Sequence, residues 1–241
     1  MFTFVAVGFY LSGILSIILI GLVWQYRRMP GAKAFIAMLF SLALYSIGEG
    51  FEILSPTLAI NHFWAVFCYP GILGVPVSFY FFTAQYTRQD RYLTKGLSVT
   101  IIGLACLAMI AVLTNDWHHL YWSSLTPDPE LGETLIHFGH GPLFYITVIY
   151  LYGLTLVGSI FLVQMYIRYH SAYRWQALGV LAAIPLPWIS NILYILNLSP
   201  VPYFDIPPIF FSIAALLFSV NLYSYKLLNL IPVASVFMLE N

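Results

Sequence analysis

Seven apolar stretches of about 18 to 25 residues divide this chain, and all nine of its Lys and Arg residues fall in the links on one side of them. The stretches run approximately 4–26, 34–54, 63–87, 96–113, 143–167, 176–197 and 207–225. At about 1.5 Å per helical residue, each reaches across a hydrocarbon core of roughly 30 Å. The basic residues follow stretches 1, 3, 5 and 7: Arg27, Arg28 and Lys33; Arg88, Arg91 and Lys95; Arg168 and Arg174; and Lys226. Positive charge is retained on the cytoplasmic side of a bilayer, so those links are inside, the N-terminus is outside and the C-terminus is cytoplasmic. The expected fold is an all-α integral membrane protein, a seven-transmembrane helix bundle in the cell membrane.

A chain that is 61% hydrophobic and 7% charged cannot cover a water-soluble globule of 241 residues with polar surface. Its formal net charge of zero hides an asymmetry. Seven acids (Glu49, Glu52, Asp116, Asp128, Glu130, Glu133 and Asp205) fall on the outer side, and only Asp90 and Glu240 accompany the basic residues inside. The outer mouth therefore carries a negative field that favours cations. The first stretch has no basic residue before it and Arg27-Arg28 after it, the reverse of a secretory signal, so it reads as a retained helix. Cys68 and Cys106 fall inside stretches 3 and 4 and are expected as buried free thiols at packing positions. No basic patch suited to nucleic acid occurs.

The links are short except for one of about 29 residues, Thr114 to Pro142. Short links impose antiparallel neighbours, and a long one usually carries structure. Within it, His119–Leu125 and Glu133–Phe138 are β-prone and flank the turn-rich Pro127-Asp128-Pro129-Glu130-Leu131-Gly132. The pattern predicts a short β-hairpin over the outer mouth, between helices 4 and 5. Its four histidines, His118, His119, His137 and His140, lack the spacing of a metal motif and read as exposed loop residues, so no metal or cofactor is assigned. Pro70 and Pro76, Pro185 and Pro187, and Pro207-Pro208 punctuate stretches 3, 6 and 7; interior prolines kink helices and can line cavities.

Polar groups at membrane depth are functional candidates by default. Glu49 and Glu52 lie in the outer quarter of stretch 2, three residues apart and hence on one helix face. Paired carboxyls at that distance resist joint ionisation. Asn191 and Tyr194 repeat the spacing at the same height in stretch 6, and Asp205 precedes Pro207 at the mouth of stretch 7. With Trp64 and Tyr69 of stretch 3 they form the candidate ligand-binding set. A structural polar network is the competing reading of the same residues.

Several function classes follow from seven spans. A retinal protein needs a lysine in the middle of span 7; Lys226 is at its cytoplasmic end. An intramembrane metallohydrolase needs histidines at depth, and no span centre has one. A small-molecule or cation transporter remains the alternative, although the polar groups gather at one surface with no polar path in the inner half. A ligand sensor is the favoured reading.

Particular runs carry a family resemblance. They are Phe67-Cys68-Tyr69-Pro70-Gly71-Ile72-Leu73-Gly74-Val75-Pro76-Val77-Ser78-Phe79-Tyr80, Gly141-Pro142-Leu143-Phe144-Tyr145, Tyr173-Arg174-Trp175-Gln176, Asp205-Ile206-Pro207-Pro208 and Leu230-Ile231-Pro232-Val233-Ala234. In this order the chain resembles the seven-transmembrane N-terminal sensor region of prokaryotic histidine kinases, from Phe9 to about Ala234. The resemblance implies an input module that is not itself an enzyme: a sensor domain over residues 1–225 and a juxtamembrane connector over 226–241. It also implies a kinase or cyclase output domain beyond Asn241, a homodimer set by kinase chemistry, and a prokaryotic cell membrane. The expected partners are a small extracellular ligand and membrane lipid, with Arg168, Arg174 and Lys226 at anionic headgroups. Family members often have a basic residue after the Pro-Val-Ala; here it is Ser235.

Overall fold

A computed structural model describes residues 2–128, 132–168, 183, 185–195 and 207–224. Among these residues, five helices are long and apolar enough to cross a membrane: α1 (Phe2–Trp24), α2 (Ala32–Ile53), α3 (Leu58–Tyr86), α4 (Lys95–Leu113) and α5 (Pro142–Arg168), the last through Met165. Two more follow, α6 (Pro185–Ile195) and α7 (Pro207–Ser224), of which α7 contributes a shorter apolar run, Pro207–Leu217. The first part of the sixth predicted stretch lies outside the described residues. Helix starts are legible locally. The Thr57 hydroxyl accepts the Ile60 amide at the head of α3, and Thr94 does the same for Leu97 at the head of α4.

The described helices carry large apolar side chains on their exposed faces as well as their buried ones. α1 buries Phe9, Ser12, Ser16, Leu19 and Val23 against the bundle and exposes Phe4, Leu11, Ile14, Ile18 and Leu22 on its other side. A helix that is apolar all round suits lipid on its outer face. α4 stands at the periphery: of its 19 residues only Ile101 and Val112 are buried. Cys106, expected to be buried, is therefore exposed, because α4 has packing partners on one side only; Cys68 in α3 is buried as expected.

α2 and α3 form the central pair, with α1 and α7 on one side and α5 on the other. Lipid tails are as apolar as leucine, so helices hold together in a bilayer by close fit and hydrogen bonds rather than by hydrophobic exclusion. Glycines supply the fit. A Cβ at Gly71 would lie 2.5 Å from the Ser41 carbonyl oxygen and 2.7 Å from the Tyr45 nitrogen. Around this contact Leu19, Phe35, Leu39, Leu42, Val75, Phe82, Leu162 and Ala215 pack into one core. α3 has 29 residues, about 43 Å, well over a hydrocarbon thickness, and its N-terminal end is at Leu58.

On that end sits the predicted hairpin, β1 (Trp122–Asp128) paired antiparallel with β2 (Gly132–His140), Leu125 opposite Phe138. The tip, 129–131, lies outside the described residues. The first strand begins three residues later than the sequence pattern indicates. Asn115–His118 instead forms one helical turn, which ends at His119 in the left-handed conformation (φ 51°). The buried Asn115 side chain explains the change: its Oδ1 accepts the Tyr121 and Trp122 amides at 3.0 and 2.9 Å, and its Nδ2 donates to the Trp122 carbonyl at 3.1 Å. A side chain that satisfies three backbone groups outcompetes β-propensity over His119–Tyr121.

The α2–α3 contact sets a stability expectation. Gly71→Ala forces a methyl against backbone and should destabilise the bundle by about 1–3 kcal/mol, the usual cost of overpacking. Gly103→Ala in α4, where a Cβ would meet nothing within 4 Å, should leave it unchanged. Thermal unfolding of the two variants in detergent checks both.

Candidate functional site

Tyr45, Glu49 and Glu52 fall on one face of α2, four and three residues apart. Cys68 of α3 faces them. One carboxylate oxygen of Glu49, one of Glu52 and the Cys68 sulfur lie within 4.8 Å of one another. Cys68 Sγ is 4.0 Å from Glu52 Oε2 and 3.8 Å from the Tyr45 carbonyl oxygen. Glu49 is 8% exposed and Cys68 1%, while Glu52 is half-buried. Gly48 makes this approach possible, since a Cβ there would sit 2.5 Å from the Cys68 sulfur.

Two polar linkages lead out of this cluster. Toward the hairpin, buried Asn61 bridges three elements: its Nδ2 donates to the Glu52 carbonyl at 2.9 Å and its Oδ1 accepts the Ile136 amide at 3.2 Å. Toward α7, Ser46 lies one turn below Glu49 on the same helix. Its hydroxyl is 2.7 Å from that of Ser12, and Ser12 in turn reaches the Ser212 hydroxyl and the Pro208 carbonyl of α7. Below Tyr45 a small cavity of about 80 Å³ opens between α2, α3, α5, α6 and α7, lined in part by Pro76, Tyr152, Trp188, Pro207 and Phe211.

The aromatic candidates divide between two neighbourhoods. Trp64 stacks on Phe51 (centroids 4.5 Å apart, 17° between planes) within a group that includes Tyr10, Phe63 and Phe67. Tyr69 packs against the hairpin's base, 5.3 Å from Tyr121 and 5.4 Å from Trp122. Asn191 and Tyr194 belong to α6, but their side chains, like the whole of Asp205, lie outside the described residues. Cys68 was missed as a member of the site. The available signal was Gly48: a glycine next to a membrane-depth glutamate marks a close approach, although not by which residue.

Of the four loop histidines, all expected to be exposed, His118 and His140 are half-buried and take part in the hairpin's construction. His118 accepts the Leu120 amide on Nδ1 at 2.9 Å and pairs with the Thr114 hydroxyl through Nε2. His119 and His137 are exposed. His140 stacks on Phe144 at 3.7 Å; burial, with His137 nearby, holds its imidazole below the ordinary value of 6.5. Burial also raises the Tyr121 phenol, partly offset by hydrogen bonds with Thr147 and Tyr69.

A mostly helical bundle with several membrane-length helices, a capping hairpin and no kinase-like element among its described residues defines an intramembrane module. Residues 9–232 match the family described as the N-terminal 7TM region of histidine kinase, and the chain belongs to that family. No curated protein matches it. The family makes this a membrane sensor region of the histidine-kinase type; the match covers that region and not a catalytic kinase domain.

His140 gives the hairpin a pH dependence. Because its folded-state pKa is depressed, the unfolded state binds the proton more readily. Hairpin stability should be full above about 6.5 and fall as pH drops from there through the lowered value. Amide exchange across Trp122–His140 should accelerate on acidification, and His140→Phe should flatten that response.

Proposed function

We propose that this chain is the ligand-sensing input module of a signal-transducing histidine kinase or related signalling protein, with seven spans, its N-terminus outside and its C-terminus in the cytoplasm of a prokaryotic cell. A small extracellular ligand enters beside the hairpin and reaches Glu49 and Glu52, with Asn191, Tyr194 and Asp205 closing the site from α6 and the mouth of α7. Trp64 and Tyr69 flank it, one toward lipid and one beneath the hairpin. The observation that carries this reading is the carboxylate pair at the hairpin end of α2, buried Glu49 and half-buried Glu52, on a helix tied to the hairpin through Asn61 and to α7 through Ser46 and Ser12.

The mechanism is a population shift. A ligand that binds two helix arrangements unequally moves their equilibrium by its differential affinity, and by nothing else. α7 is the natural output element, because it is the last span before residues 226–241 and its hydroxyl Ser212 contacts Ser12. Displacement of α7 then reaches a kinase or cyclase domain, which acts as a dimer in the full-length protein. Basic links at the cytoplasmic end hold anionic headgroups. Arg27, Arg28 and Lys33 line an open cavity of about 610 Å³ there with Gln85.

Thermal unfolding of the purified chain in lipid nanodiscs, across a panel of small cations, amines and apolar metabolites, tests the reading. A ligand at a hundred times its Kd adds about 2.7 kcal/mol of stability. At least one compound should raise the unfolding temperature by several degrees, and Glu49→Gln with Glu52→Gln should abolish the shift. A panel whose hits are indifferent to both substitutions would overturn the site. Accumulation of a hit inside chain-loaded vesicles would favour the transporter alternative.

A further inference from the structure

The cluster between α2 and α3 combines two kinds of donor. Glutamate oxygens are hard ligands and a cysteine sulfur is a soft one, and here they come from two different helices. Neither the carboxylate pair nor the thiol would define a site alone. Their convergence does, because all three donor atoms lie within 4.8 Å of one another and two of the three residues are buried. On a tetrahedral ion a bound sulfur and a bound carboxylate oxygen are about 3.6 Å apart. Cys68 Sγ and Glu52 Oε2 already stand at 4.0 Å. The gap to close is about 0.4 Å.

The donor set also selects the ion. Calcium asks for six to eight oxygens, and magnesium holds several waters in near-ideal octahedral geometry; neither gains from a thiol. Thiolate with carboxylate suits a borderline or soft divalent ion, and zinc accepts both at ordinary tetrahedral distances. We propose that Glu49, Glu52 and Cys68 bind a zinc-class divalent cation, and that this cation is the ligand, or part of the ligand, that the module senses. The inference rests on the sensor reading given above and names the chemistry of the same site. Three protein donors leave a fourth position open for water or another group, which suits an ion that must leave as well as enter. As the metal–sulfur bond forms, the Cys68 thiol gives its proton to solvent.

Gly48 is the local adaptation that permits it. Any larger residue would meet the sulfur and push α3 away from the carboxylates. Through Asn61 the Glu52 backbone carbonyl is tied to Ile136 of the hairpin, so drawing Glu52 toward an ion also pulls on the covering loop. Through Ser46 the same stretch of α2 is tied to Ser12, which holds α7.

The test uses the purified chain in nanodiscs with cadmium as probe, because a cadmium–thiolate bond has an ultraviolet charge-transfer band that carboxylates lack. Cys106 is exposed on α4 and would bind the probe by itself, so the measurement is made on the Cys106→Ser chain. One cadmium per chain should bind with that band, and zinc should displace it. Cys68→Ser should remove the band, and Glu49→Gln and Glu52→Gln should each weaken binding more than about tenfold, as loss of a ligand does. Should Cys68→Ser fail to fold, the paired carboxylate substitution carries the test. No band in the Cys106→Ser chain, or a band that survives both carboxylate substitutions, overturns the metal site. If the band is absent while a panel compound still loses its stabilising effect in the carboxylate variants, the sensor reading stands and the metal falls. If both effects are absent, both fall.

Discussion

Where α2 meets α3, Gly48 and Gly71 remove the side chains that would otherwise hold the two backbones apart. The candidate site depends on that contact. It brings Cys68 against the Glu49 and Glu52 carboxyls, and it places Asn61 within reach of the Glu52 carbonyl. In water such a pair of helices would be driven together by apolar burial; in lipid that force vanishes and close approach must take its place. The glycines are therefore a condition of the fold and of the site at once. A methyl at Gly48 would strike a side-chain sulfur, and one at Gly71 would strike backbone, so the two positions affect the site and the bundle unequally.

The coarse architecture was legible because bilayer physics leaves few choices. A run of some twenty apolar residues can only be a helix that satisfies its own backbone, and five of the seven expected stretches return as helices of membrane length. The hairpin was legible for a different reason: β-prone segments on either side of a Pro-Asp-Pro turn signal. Its first strand was misplaced because the controlling group, the Asn115 side chain, acts through backbone amides six and seven residues away. Propensity cannot register such a contact.

The site was half legible for the same kind of reason. Glu49 and Glu52 stand out from sequence, since carboxylates are rare at membrane depth and helical spacing fixes their common face. Cys68 does not stand out. A buried cysteine in an apolar helix behaves as a small hydrophobe, and only the rotation of α3 against α2 decides whether its sulfur meets leucine or carboxylate. Trp64 and Tyr69 illustrate the converse. Five residues apart on α3, they point into different neighbourhoods, one stacked on Phe51 and the other under Trp122, although both looked like walls of one pocket. Cys106 went astray because peripheral position is a property of the bundle and not of α4's composition.

The serine hydroxyls between α1, α2 and α7 show how such a bundle can be tight and still able to move. Ser12 has the Ser46 hydroxyl, the Ser212 hydroxyl and the Pro208 carbonyl within reach, which together fill its one donor and two acceptor positions. Ser16 adds a weaker contact to Ser212 at 3.5 Å. A small sliding of α7 would carry Ser212 from Ser12 toward Ser16, one turn along α1, rather than leave it unsatisfied. Interhelical hydrogen bonds of this kind average about 0.6 kcal/mol in a membrane, and swapping them changes the total by less still. Repacking Leu39, Leu42 and Val75 would cost several times that. α7 enters that core through Ala215, so the serine contacts are the weaker part of its hold and the apolar contact the stronger. Couplings of about 1–3 kcal/mol are enough to link distant sites in other proteins. A ligand that redraws the Glu49–Glu52 face, one helical turn from Ser46, would be felt at the Ser46–Ser12 contact that holds α7.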